Sequence, residues 1–76
     1  MTTKEISNPS SVLMVIGMKI RKLREQKNIS QQDLAAACNF EKSNMCRIES
    51  GRTNLTIKTL LKIASALEVD LITLIE

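Results

Sequence analysis

Seventy-six residues suffice for one small domain, which buries roughly 60% of its unfolded surface. Hydrophobic residues make up 43%, Phe40 is the sole aromatic, and two glycines and one proline are too few for a many-turned all-β domain, so an aliphatic, all-α domain is expected. The formal net charge of +3 is unevenly placed: ten Lys or Arg against four Asp or Glu from Lys19 to Lys62, then three acids and no base. That suits a polyanion on one side and a protein partner on the other, although ordinary solvated helix faces would give the same imbalance.

Residues 1–10 are polar and aperiodic and predict a flexible tail, the alternative being an arm that reaches DNA or a partner with Lys4 as its only base; the structured domain is expected over residues 11–76. Ser11 is placed to cap a helix over about 11–27, on which Leu13, Ile16, Ile20 and Leu23 recur at amphipathic spacing. Gly17 costs that helix about 1 kcal/mol relative to alanine. It either marks close packing or delays the true helix start. Lys19, Arg21, Lys22 and Lys27 are expected in solvent.

A second helix is predicted over 31–38. The Ser30 hydroxyl can accept from an N–H of the first turn, and Asp33 stands where the acidic half of a capping box belongs. Leu34-Ala35-Ala36-Ala37 supplies strong helix formers with small side chains. Asn39, tolerant of a left-handed backbone, then turns a corner at 38–40. A third helix over 42–50 ends at Gly51, a residue suited to a left-handed cap. Met45 and Ile48 share its inner face with Phe40 beside them, which leaves Lys42, Ser43 and Arg47 pointing outward.

Cys38 and Cys46 are expected to pack as small apolar side chains, with a redox switch the alternative. Without histidine they make a poor metal site, since zinc takes four protein ligands or three plus water. No metal, cofactor or small-molecule ligand is expected. With no histidine, no paired-carboxylate signal and no Gly-rich phosphate loop, no catalytic residue is assigned and no enzyme is expected. Nothing resembles a signal peptide or a membrane span, so a cytoplasmic protein is expected.

Residues 50–56 read as a loop in which Arg52 and Asn54 suit phosphate oxygens. Thr56 caps a fourth helix over 57–68, with Ile57, Leu60, Leu61, Ile63, Ala64 and Leu67 as a broad inward stripe. Asp70 can cap a last helix over 71–76. Val69, Leu71, Ile72, Leu74 and Ile75 are more than two turns can bury alone. Some close the core; Val69, Leu71, Ile72 and Ile75 are assigned to a two-fold homodimer contact.

Taken in order, Ser30-Gln31-Gln32-x-Leu34-Ala35, a corner, then Ile48-Glu49-x-Gly51 resembles the helix-turn-helix of the phage-repressor-like (Cro/C1, XRE) DNA-binding family. With its flanks the resemblance covers most of the chain and implies a five-helix lambda-repressor-like domain. The stretch Arg52 to Leu60 is also similar to small controller proteins of restriction–modification systems. The resemblance implies that Arg24 pairs with Glu49, tying the first helix to the end of the recognition helix. Carried over position by position, it makes Lys42, Ser43 and Arg47, with Asn44 beside them, the base-contacting residues. Gln31 takes the phosphate-contacting role, with Arg52 and Asn54 on the other side of the backbone.

Glu41 departs from the short hydroxyl residue common there. It either complements the helix dipole or accepts from cytosine N4. The implied function is a transcriptional regulator binding a palindrome-like duplex operator as a homodimer. The alternative is a protein-interaction module, such as an antirepressor, antitoxin or adaptor, that keeps the fold without reading DNA.

Overall fold

The computed structural model describes residues 9–76. Most of the tail expected at 1–10 therefore lies outside the described residues. Its last two positions do not: helix α1 (Pro9–Gln26) begins at the proline, not after Ser11. Proline suits a first helical turn, because its φ is already helical and that turn's N–H groups have no intrahelical acceptor to lose. Four further helices follow: α2 (Gln31–Ala37), α3 (Lys42–Glu49), α4 (Ile57–Leu67) and α5 (Leu71–Ile75). No helix among the described residues is long and apolar enough to cross a membrane.

The first four helices end in the same way. Asn28, Asn39, Gly51 and Glu68 each take a left-handed backbone, with φ between 58° and 74°. The next residue's N–H then reaches back over the last turn: Ile29 to the Arg24 carbonyl, Phe40 to Ala35, Arg52 to Arg47 and Val69 to Ala64. This six-to-one bond satisfies a carbonyl that a helix end otherwise leaves open and turns the chain sharply. At the starts, Ser30 and Thr56 accept from the N–H groups of Asp33 and Thr59 at 3.0 and 3.1 Å. Asp70 occupies the corresponding position of α5, but its side chain makes no capping bond.

α2 and α3 pack on one another, α1 lies across α3 and reaches α5, and α4 and α5 close the other side. Ile20, Leu34, Met45, Ile48, Ile63, Leu67 and Leu74 are fully buried at the centre. Each is worth about 1.5–3 kcal/mol relative to exposure. Leu60, Ile63, Ala64 and Leu67 fill the inward arc of α4, so Ile57 and Leu61, expected inside, stand 60% and 51% exposed on its flank. Lys19, expected in solvent, is half-buried and donates from Nζ to the Glu76 carbonyl at 2.6 Å, holding α5 against α1.

Candidate nucleic-acid interface

Gly17 explains how α1 and α3 come together. A Cβ there would lie 2.5 Å from the Ile48 carbonyl oxygen and 2.6 Å from that of Glu49, so only glycine lets the two backbones meet. Gly51 repeats the device from the other side. Its left-handed φ of +74° favours glycine, and a Cβ would sit 2.8 Å from the Cα of Met14. Both contacts lie at the carboxyl end of α3.

The same end carries the protein's buried polar cluster. Arg24 donates from Nε to Glu49 Oε2 at 2.7 Å and from Nη2 to Oε1 at 3.1 Å, a bidentate pair. Its Nη1 donates to the Ile29 carbonyl at 2.9 Å, and Gln31 Nε2 adds a bond to Glu49 Oε1 at 3.2 Å. The Glu49 side chain is only 4% exposed. Three donated bonds thus hold its carboxylate where water does not. The hydrogen bonds to Glu49 raise the Arg24 guanidinium above its usual pKa, against the opposing effect of burial. The carboxylate ties the last turn of α3 to α1 and to the start of α2, while Arg24 also holds the α1–α2 turn.

With Met45, Ile48 and Glu49 buried, the opposite side of α3 is left outside. Ser43 and Arg47 stand one turn apart on that side, flanked by Lys42 and Cys46, all four exposed; Asn44 is half-buried at the edge. The Ser50 hydroxyl folds back to the Cys46 and Arg47 carbonyls at 2.9 and 3.2 Å, closing the helix end. At the other end, Glu41 occupies the N-cap without making a side-chain capping bond. Arg52 and Asn54 are exposed on the loop that follows.

Cys46 corrects the expectation that both thiols pack inside. Cys38 is buried, its Sγ donating to the Lys62 carbonyl at 3.7 Å, and burial pushes its thiol pKa up. Cys46 faces solvent on the same side, between Lys42 and Ser43. Its spacing from Lys42 and Ser43 already placed it there; the general preference of cysteine for the interior pointed the wrong way. Gln31 also turns inward, spending amide hydrogen bonding on Glu49. Of the four residues assigned to a dimer contact, Val69 and Leu71 pack half-buried against their own core, while Ile72 and Ile75 stand 60% and 49% exposed.

Two helices joined by a left-handed corner, the second clamped from within and cationic without, define a helix-turn-helix. The helix-turn-helix model HTH_3 matches residues 20–74. The chain belongs to this XRE-type family of DNA-binding transcriptional regulators. It is 32% identical over 62 residues to the control protein C.BamHI of Bacillus amyloliquefaciens, covering 80% of this chain and 76% of that one. It is 31% identical over 61 residues to an uncharacterized HTH-type transcriptional regulator, y4dJ, of Sinorhizobium fredii, covering 80% and 79%. The restriction–modification controller protein C.AhdI of Aeromonas hydrophila superposes with a TM-score of 0.79 at 32% identity, over 82% of this chain and 94% of that one.

Proposed function

We propose that the chain binds a palindrome-like duplex operator as a homodimer, laying the outer face of α3 in the major groove. The observation that carries this reading is the exposed row of Lys42, Ser43 and Arg47 on a helix whose opposite face is fixed at its carboxyl end by Arg24, Gln31 and Glu49. A rigid support turns three flexible side chains into a surface of defined register. Lys42 and Arg47 suit guanine O6 and N7, and Ser43 can donate to or accept from several bases, with Asn44 at the rim. Arg52 and Asn54, exposed on the loop after α3, and the start of α2 at Gln31 would hold phosphates, which fix register without carrying sequence information. Because Gln31 already bonds Glu49, its backbone N–H and remaining amide hydrogen are the groups left for a phosphate.

Ile72 and Ile75 supply the exposed apolar surface for the two-fold contact, with Val69 and Leu71 supporting it from beneath. A two-fold dimer would place two α3 helices on half-sites about 34 Å apart. The similarity to C.BamHI and C.AhdI supports a role in controlling a restriction–modification system.

Selection from a random-duplex pool tests the reading. A recovered two-fold consensus whose binding weakens steeply with salt is the expected result. Recovery of no consensus at low ionic strength would reject sequence-specific binding. Sedimentation of Ile72→Glu at micromolar concentration tests the assembly; self-association equal to the parent's would remove α5 from the interface.

A further inference from the structure

A groove of about 470 Å³ runs between the end of α2 and the outer flank of α4. Ala37, Cys38, Leu61 and Ala66 give it an apolar lining, and Lys58 and Lys62, one turn apart, stand along its lip. It lies at the opposite end of α2 from Gln31, and none of its residues belongs to the DNA-facing row of α3. Ala37 and Ala66 are small enough for a second backbone to approach closely.

The charge pattern says what would fit. α4 carries no acidic residue from Ile57 to Leu67. Among the described residues the salt bridges are Arg21–Glu25 and Arg24–Glu49, so neither lysine of the groove has a carboxylate partner. Lys62 holds its ammonium 5.8 Å from the centre of the Phe40 ring, a cation–π contact that fixes its position without neutralising it. A purely apolar occupant would cover two cations and leave them unpaired, which is costly. A phosphate backbone would satisfy the lysines but gain nothing from Leu61, which is half exposed above the alanines.

We propose that the α2–α4 groove docks an amphipathic helix of a partner protein, its apolar stripe on Leu61 and its acidic flank on Lys58 and Lys62. Such a partner reaches the regulator while α3 remains free for DNA. The docking mode is a helix laid in a groove, read through side chains spaced three and four apart. It does not depend on which operator α3 reads.

The probes are two synthetic helical peptides of about 18 residues with leucine at amphipathic spacing, one flanked by glutamates and the other by lysines. Titrated into the full chain, the glutamate peptide is expected to bind and the lysine peptide not. Its backbone amide shifts should centre on residues 37–39 and 58–66. The exposed double variant Lys58→Glu/Lys62→Glu should stay folded, losing only the Lys62–Phe40 contact, and bind the glutamate peptide at least about tenfold more weakly.

Binding of neither peptide, equal binding by the double variant, or shifts centred on Ile72 and Ile75 would overturn the assignment. If the double variant instead lowered the salt slope for duplex DNA by about two with peptide binding intact, the lysines would be phosphate contacts and the proposal would fail. A change in self-association on Leu61→Ser would give the groove to a second copy of the chain and reject it equally.

Discussion

At its carboxyl end α3 is held by a buried carboxylate and two glycine contacts, whereas at its amino end Glu41 caps nothing and Lys42 and Ser43 stand in solvent. The difference separates two tasks. Apolar packing alone fixes a short helix loosely about its own axis, but a bidentate ion pair with a third donor fixes its rotation as well. Rotation decides which side chains face a groove, so the fixed end sets the aim of the free one. Substitutions at the carboxyl end should therefore cost stability, and those on the outer face should cost DNA binding alone.

Arg24→Ala tests this division most severely. It leaves the Glu49 carboxylate buried with only Gln31 to donate to it, and losing one partner of such a pair costs about 3–5 kcal/mol. Urea unfolding is the measurement, and a midpoint equal to the parent's would mean that the pair does not hold α3. Gly17→Ala comes next. The new methyl would overlap the Ile48 and Glu49 carbonyls, an overpacking cost of about 1–3 kcal/mol that the better helix propensity of alanine only partly offsets. Displacement of α3 should lower DNA affinity as well, so this variant loses in both assays.

Arg47→Ala belongs to the other class. Its side chain is exposed, so stability should stay within about 0.5 kcal/mol of the parent. Operator affinity should fall by about 1–3 kcal/mol, with specificity relaxed at one base pair. Equal weakening on every duplex would make Arg47 a phosphate contact instead.

How much of this could be read beforehand depends on how local the cause is. The caps at Ser30 and Thr56, the corner at Asn39 and the turn at Gly51 each follow from one residue's own preferences, and the sequence predicts them all. Glu68 does not announce itself: a glutamate takes a left-handed backbone only because Val69 must turn back into the core. Asn28 plays the same role at the end of α1 but lies among charged residues that read equally well as helix. Gly17 carried a real signal, since a glycine inside an amphipathic helix needs a reason. The reason, the carbonyls of α3, is a tertiary contact that no local pattern contains. Ile57 and Leu61 failed for a related cause, because periodicity gives the width of an apolar stripe but not how much of it the neighbours cover. The inward turn of Gln31 likewise required knowing where Glu49 would be.

Glu41→Ser gives the smallest expected effect and bears directly on the uncapped end. A serine hydroxyl there could take the Asn44 N–H, which now donates to the Glu41 carbonyl at 3.0 Å, and a full cap of this kind is worth about 1 kcal/mol. In a domain of this size that raises the melting midpoint by roughly 4–8 °C. The effect on DNA discriminates between the two roles open to Glu41. If its carboxylate only complements the helix dipole, removing it beside the phosphates should tighten binding to all duplexes alike. If it accepts from cytosine N4, the stabilised variant should bind its operator about 1–3 kcal/mol more weakly, with the loss confined to one base pair. An unchanged melting midpoint would show that the amino end of α3 gains nothing from a side-chain cap, and the contrast between the two ends would then rest on the buried carboxylate alone.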